Sequence, residues 1–189
     1  AGAVASAVEP LPPALRGGNR PLSHAQARQW FLWKLAPAEA AYHVGAALWI
    51  DGEFDAAAAQ AALEDVARRQ ASLRTVFGEG PDGVPFQRVE EMPAIAFEVA
   101  DRGRPACSER DDAVRERLDA LQSRPFDLLQ GPPWRVALLR LDARTHVLAV
   151  VMHHILSDGA SMQLWAAEWL EAYGARRQGL AARSMPQLQ

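Results

Sequence analysis

The strongest hydrophobic pattern lies toward the C-terminal end. THVLAVVMHH, from Thr145 to His154, is almost unbroken apolar sequence rich in β-branched residues, which predicts a strand buried on both faces. WRVALLRLD, starting at Trp134, reads as its neighbour, joined to it through Ala143-Arg144. Earlier, YHVGAALWIDG predicts a strand closed by Asp51-Gly52, and AIAFEVA a shorter one. LRTVFGE and VPFQRVE flank Gly80-Pro81-Asp82-Gly83, a turn sequence that predicts a hairpin. Helical spacing alternates with these strands. Ser23 is placed to cap HAQARQWFLWKL, which Pro37 ends. Asp55 is placed to cap DAAAAQAALEDVARRQ, whose apolar face includes Ala58, Ala62, Leu63 and Val66 and whose last turn carries Arg68 and Arg69. Residues 108–122 put Val114, Leu118 and Leu121 on one face, and a long helix follows Gly159 through MQLWAAEWLEAYGARRQ. This alternation, with several strand pairs adjacent in sequence, predicts an α/β fold: a mixed β-sheet flanked by helices.

The ends break the pattern. Residues 1–20 hold three prolines and two adjacent glycines without a helical or strand period, and read as a flexible N-terminal linker. Residues 21–180 form the expected folded unit, and 181–189 read as a connector. At 189 residues, with 49% hydrophobic and 23% charged positions, the chain suits one globular domain with a sizeable core. A net charge of −3 gives no basic excess for nucleic acid or an anionic membrane. The longest purely apolar run, Val147 to Met152, is too short to span a bilayer, and the N-terminus lacks the basic and continuous apolar segments of a leader. Cys107 is the sole cysteine, so it forms no internal disulfide, a Cys-based zinc site is excluded and the thiol is expected to be incidental. A cytoplasmic protein is the expectation.

The candidate chemistry sits in VVMHHILSDGAS, Val150 to Ser161. Neighbouring side chains on a strand point to opposite faces. His153 continues the face of Val147, Ala149 and Val151, while His154 continues that of Leu148, Val150 and Met152. One imidazole is therefore structural and the other can look into a site; parity does not choose between them. Diverging histidines, with no His-x-His or His-x3-His spacing, argue against a metal. Asp158 can orient a histidine, as in catalytic triads, or more plainly cap the following helix or pair with an arginine. Gly159 permits a tight backbone at a helix N-terminus, where an N–H can face a developing oxyanion. Ser161 can be a cap or a contact in the same site.

HHILSDG, residues 153–159, resembles the HHxxxDG motif of the condensation domains of nonribosomal peptide synthetases. Three further stretches agree in the family's order. LSHAQARQWFL resembles its opening motif through Ser23, Ala25, Gln26 and Arg28. RQASLRTVF is similar to Arg-His-Glu-x-Leu-Arg-Thr-x-Phe; it keeps Leu73, Arg74, Thr75 and Phe77 and departs at Gln70 and Ala71. FDLLQGPPWR, residues 126–135, is similar to FDLxxGPxxR. Together these cover nearly all of Leu22 to Tyr173.

The resemblance implies a chloramphenicol-acetyltransferase-like lobe, and only the N-terminal one of the two that such domains possess. It implies that His154 is catalytic, His153 its structural partner, and Asp158 the member of a salt bridge whose partner here is Arg74. The implied reaction is amide-bond formation between a donor acyl or peptidyl thioester and an acceptor aminoacyl thioester. Both ride on 4'-phosphopantetheine arms of carrier proteins, and no cofactor is held by this lobe. The implied partners are the C-terminal lobe, donor and acceptor peptidyl carrier proteins and an adjacent adenylation domain, and the lobe alone is expected to be inactive. Rival readings are an epimerisation domain, a free-standing acyltransferase of the same superfamily, and a scaffold module with an unused motif. A cyclising variant would replace the first histidine by aspartate, and His153 is present.

Overall fold

The computed structural model describes residues 18–91, 95, 97–101 and 110–180. The expected connector at 181–189, nearly all of the expected linker and Cys107 lie outside the described residues. Four helices and seven strands are formed among the described residues. Strand β1 is Arg20–Pro21, helix α1 is His24–Leu35, β2 is His43–Asp51 and α2 is Ala56–Arg69. A 3-10 turn over Ala71–Arg74 leads into β3, Thr75–Glu79, and β4, Pro85–Val89. Then follow β5, Phe97–Asp101; α3, Arg110–Ser123; β6, Trp134–Arg140; β7, Thr145–His153; and α4, Gly159–Arg177.

The local signals act where expected. Ser23 accepts from the Gln26 N–H while the Gln26 side chain accepts from the Ser23 N–H, a reciprocal capping box. Asp55 accepts from the Ala58 N–H at the start of α2. Two departures stand out, and the first has a clear cause. Leu73 and Arg74 belong to the 3-10 turn and not to β3. There the Leu73 N–H bonds the Gln70 carbonyl, and the Leu73 carbonyl accepts from Trp134 Nε1 at 2.8 Å instead of from a strand partner. The strands also form two sheets. The predicted hairpin, with β1 added, is an antiparallel sheet in the order β1-β4-β3.

The larger sheet has the order β2-β7-β6-β5 and is mixed: β5 runs parallel to β6, and the other pairs are antiparallel. Strand β7 lies in the interior of this sheet, and Val147 to His153 are all buried. Its two faces bury different partners. Leu148, Val150 and Met152, with Val136 and Leu138 of β6, pack on α2 and α4 through Leu63, Val66, Trp165 and Trp169. Val147, Ala149 and Val151, with Ala137 and Leu139, pack on Val114 and Leu121 of α3. At about 1.5–3 kcal/mol for each large apolar side chain removed from water, these two layers dominate the stability. Gly45 of β2 lets α3 approach closely: a Cβ there would stand 2.5 Å from Gln122 Nε2. The sheet therefore delivers the end of β7, with its histidines, as a rigid platform.

Candidate active site

Both neighbours clamp the end of β7. The His153 N–H donates to the Pro133 carbonyl at 2.9 Å, and the His154 N–H donates to the Tyr42 carbonyl at 2.8 Å. The chain then turns sharply, with the Leu156 N–H donating to the His153 carbonyl. Ile155 anchors the turn among Trp30, Trp33, Phe77 and Leu128. Asp158 and Gly159 follow and begin α4.

The two imidazoles have opposite environments. His153 is 3% exposed, and its Nδ1 accepts the Ile155 N–H at 3.1 Å. The proton of the neutral ring is thereby assigned to Nε2. Burial pushes the ring down to about 4, and the positive charge that His43 or His154 would carry acts in the same direction. His153 is thus neutral and serves the turn. His154 is exposed. Its Nδ1 lies 2.7 Å from the Ser157 carbonyl, which can only accept, so Nδ1 carries a proton and, in the neutral ring, the lone pair is on Nε2. The arrangement offers a basic nitrogen on an oriented, accessible ring.

Asp158 caps α4. Its Oδ1 accepts from the Ser161 N–H at 2.8 Å and from the Ser161 hydroxyl at 2.7 Å. The bond from the Ser161 backbone is the main influence holding this exposed carboxyl below its ordinary range. Of the two donors of Ser161, both are spent on Asp158, whereas Gly159 opens the helix with free space around its α-carbon. The structure thus brings together His153, His154, Asp158, Gly159 and Ser161. It does not bring Arg74 to Asp158, and the expected salt bridge is absent. Arg74 Nε donates to the Ala67 carbonyl at 2.9 Å, and its Nη1 donates to the carbonyls of Glu90 and Glu91 at 2.5 and 3.3 Å. Placed directly after α2, the guanidinium turns Nε and Nη1 to carbonyls at the ends of α2 and β4, away from Asp158. The departure at Gln70 leaves a contact intact, because Gln70 Nε2 donates to Glu168 of α4 at 2.8 Å.

Sequence reasoning left out a polar cluster beneath the histidines. His43 pairs with His153 across β2 and β7, with ring centroids 5.7 Å apart. Its Nδ1 donates to the Gln122 carbonyl at 2.7 Å, and burial is the main influence lowering its pKa. The Phe126 and His43 rings meet edge-on, with centroids 4.7 Å apart. Arg135, 3% exposed, stands 3.6 Å from the centre of the Phe126 ring. Its Nη2 donates to the Arg124 carbonyl at 2.5 Å, with Pro125 more distant at 3.4 Å. Burial lowers its pKa to about 10, so it stays charged at neutral pH. The available signal was the antiparallel pairing of the YHV and MHH ends, which brings His43 opposite His153.

An open cleft of about 840 Å³ lies between the β3–β4 hairpin and the loop before β6, lined by Phe77, Glu79, Phe86, Arg88, Leu129 and Pro132 among others. His154 is not among its lining residues. Among the described residues no cluster of His, Cys, Asp or Glu suits a metal ion, and no helix is long and apolar enough to cross a membrane.

The condensation-domain family profile matches residues 17–188. Chondramide synthase cmdD of Chondromyces crocatus is 37% identical over 155 residues, covering 82% of this chain and 4% of that protein. Cyclosporin synthetase simA of Tolypocladium inflatum is 38% identical over 165 residues, covering 87% of this chain and 1% of that protein. Among solved structures, the starter condensation domain of rhizomide synthetase RzmA superposes with a TM-score of 0.80 at 28% identity, over 89% of this chain and 40% of its own. The X-domain, solved in complex with OxyB from teicoplanin biosynthesis, gives 0.79 at 32% identity, over 94% and 37%. The chain therefore spans a few per cent or less of these synthetases and about 40% of the solved domains, and its fold is that of a single chloramphenicol-acetyltransferase-like lobe. It belongs to the condensation-domain family of nonribosomal peptide synthetases.

Proposed function

We propose that this chain is the N-terminal, histidine-bearing lobe of a condensation domain that forms an amide bond between two carrier-bound thioesters. The observation that carries this reading is the exposed His154 ring, with Nδ1–H fixed on the Ser157 carbonyl, which leaves Nε2 as the nitrogen open to a substrate. The acceptor amine attacks the donor thioester carbonyl; a C–N bond forms, the C–S bond breaks and the thiolate leaves. An α-amino group titrates near 7.7–8.0 and a thiol near 8.5, so neither attack nor departure needs strong assistance. His154 Nε2 holds the amine by a hydrogen bond or accepts the proton released from nitrogen. The N-terminus of α4 at Gly159 supplies the positive dipole end for the oxyanion. His153, Asp158 and Ser161 hold the turn and the helix start.

The remaining length of the matched domains supports a second lobe that covers the exposed His154. With it come donor and acceptor carrier proteins bearing phosphopantetheine, and an adenylation domain in the same cytoplasmic synthetase. Residues 1–20 then serve as a linker and 181–189 as the passage toward the second lobe, and the isolated lobe is inactive. The test is His154→Ala in the complete two-lobe domain, assayed with loaded carriers. Loss of most condensation with an unchanged melting temperature supports the proposal, and full turnover refutes it. The X-domain in complex with OxyB favours a second reading, a module that docks another protein; under it, His154→Ala changes nothing.

A further inference from the structure

We propose that Arg135 is a positioning residue for His154, acting through Phe126, His43 and His153. This rests on the reading of His154 as the catalytic histidine and adds the device that aims it. A buried guanidinium is costly unless its surroundings compensate it. Arg135 is 3% exposed and forms no ion pair among the described residues. Its compensation is the Arg124 carbonyl at 2.5 Å, the Pro125 carbonyl at 3.4 Å, the face of Phe126 at 3.6 Å and the more distant attraction of the Glu98 carboxylate. An apolar side chain would fill the site without that cost, so the cation matters for what it fixes.

It fixes the start of the segment from Arg124 to Pro133, whose far end is held by His153. At the start, Arg135 holds the Arg124 carbonyl and the Phe126 ring. At the far end, the Pro133 carbonyl accepts the His153 N–H at 2.9 Å. Between them, the Phe126 edge packs on His43, and the His43 ring packs on His153. The ring and backbone of His153 together close the turn, its Nδ1 taking the Ile155 N–H and its carbonyl the Leu156 N–H. His154 rides on that turn. The Trp33 indole, donating to the Phe126 carbonyl at 3.1 Å, holds the same segment from α1. The buried cation thus sets the orientation of a ring it never touches, through packed rings with little freedom to move.

The test uses the complete two-lobe domain labelled with ¹⁵N in histidine. In the parent, His153 shows the Nε2–H tautomer and His154 the Nδ1–H tautomer. Arg135→Met removes the fork and the charge at similar length; Arg135→Lys keeps the charge without the planar fork; Phe126→Leu breaks the ring contacts to His43 and to Arg135 while leaving the guanidinium and its carbonyl bond in place. The expected result is that Arg135→Met and Phe126→Leu give mixed tautomers at His153 and His154. In both, kcat falls by up to about 10²-fold at unchanged KM, and Arg135→Lys recovers only part of the loss. Ring signals at parental positions in folded variants overturn the proposal, whatever happens to kcat. So does a loss confined to KM. If Arg135→Met does not fold, Phe126→Leu decides by the same two readouts. The ring signals do not depend on turnover, so an inert His154→Ala substitution would refute the catalytic reading without altering this readout.

Discussion

Toward α2 and α4, the four-stranded sheet presents Val136, Leu138, Leu148 and Val150 to a layer of leucine, alanine and tryptophan. Toward α3 the opposite face is equally apolar through Ala137, Leu139, Ala149 and Val151. Near His154 that second face turns polar, with buried His153 and Arg135 and half-buried His43 around Phe126. The first face is tolerant chemistry: any apolar set of similar volume sustains it. The polar end of the second face is intolerant, because each buried donor or charge needs its own partner. Both faces contribute stability, but only the polar end of the second also sets the geometry of the site. Substitutions on the two faces should therefore separate activity from stability.

The largest separation is expected at His154. His154→Ala should lower condensation by the complete domain about 10²–10⁴-fold, the usual range for general-base work, while thermal unfolding stays at the parental temperature because the ring is exposed. A matching fall in melting temperature would show that the ring serves the fold. On the apolar face the pattern reverses. Leu148, buried completely in β7 against α2 and α4, should cost about 2–5 kcal/mol as Leu148→Ala through the cavity it leaves. The folded fraction should keep its kcat. Denaturant titration beside a turnover assay checks both halves of this statement.

A smaller effect comes from pH. The unfolded value of His153 is 6.5 and its folded value is about 4, so between these limits the unfolded chain binds more protons. Stability is complete above pH 6.5 and is lost as pH falls through the window. At 1.36 kcal/mol per unit the loss approaches about 3 kcal/mol below pH 4. His43 and His146, both lowered chiefly by burial, add to the same slope. His153→Asn offers Oδ1 to the Ile155 N–H in place of Nδ1 and cannot titrate. Its melting temperature should fall less between pH 7 and pH 5 than that of the parent. An equal fall would remove His153 as a source of acid sensitivity.

These contrasts also separate what was legible in the sequence from what was not. The apolar face could be read directly, since the run from Val147 to Met152 and the spacing of Leu63 and Val66 state their burial through local periodicity. The caps at Ser23, Asp55 and the start of α4 were equally readable, because a cap depends on residues within three positions of itself. Parity required different surroundings for His153 and His154, and one is buried and the other exposed; which one is buried depends on Tyr42, Pro133 and the ring of His43, all distant in sequence. The hairpin was legible, but its separation from the main sheet was not, because turn chemistry fixes a strand's neighbour and not the sheet it joins. Arg135 was visible only as the last letter of a motif. Its burial follows from the register of β6 against β7, opposite Val151.

The smallest effect tests the one pairing that the structure corrects. A buried Arg74–Asp158 ion pair would make loss of either member a folding defect of about 3–5 kcal/mol. Instead, Asp158 is an exposed helix cap on Ser161, and Arg74 is occupied by the carbonyls of Ala67, Glu90 and Glu91. Asp158→Ala should therefore lower the melting temperature by only a few degrees, and Asp158→Asn, whose carbonyl oxygen can still accept the Ser161 N–H, should recover nearly all of it. The carboxylate's pKa is lowered in the folded chain, so its contribution is present above the ordinary carboxylate range and fades as pH falls through the folded value. The difference between Asp158→Ala and the parent should shrink in acid accordingly. Arg74→Ala, by contrast, leaves three carbonyls without their donor and should destabilise more than Asp158→Ala. Because these residues share no partner, the double variant should show the sum of the two losses. A double-mutant cycle with a coupling comparable to either single loss would restore the ion pair and remove Asp158 from its place as a simple cap.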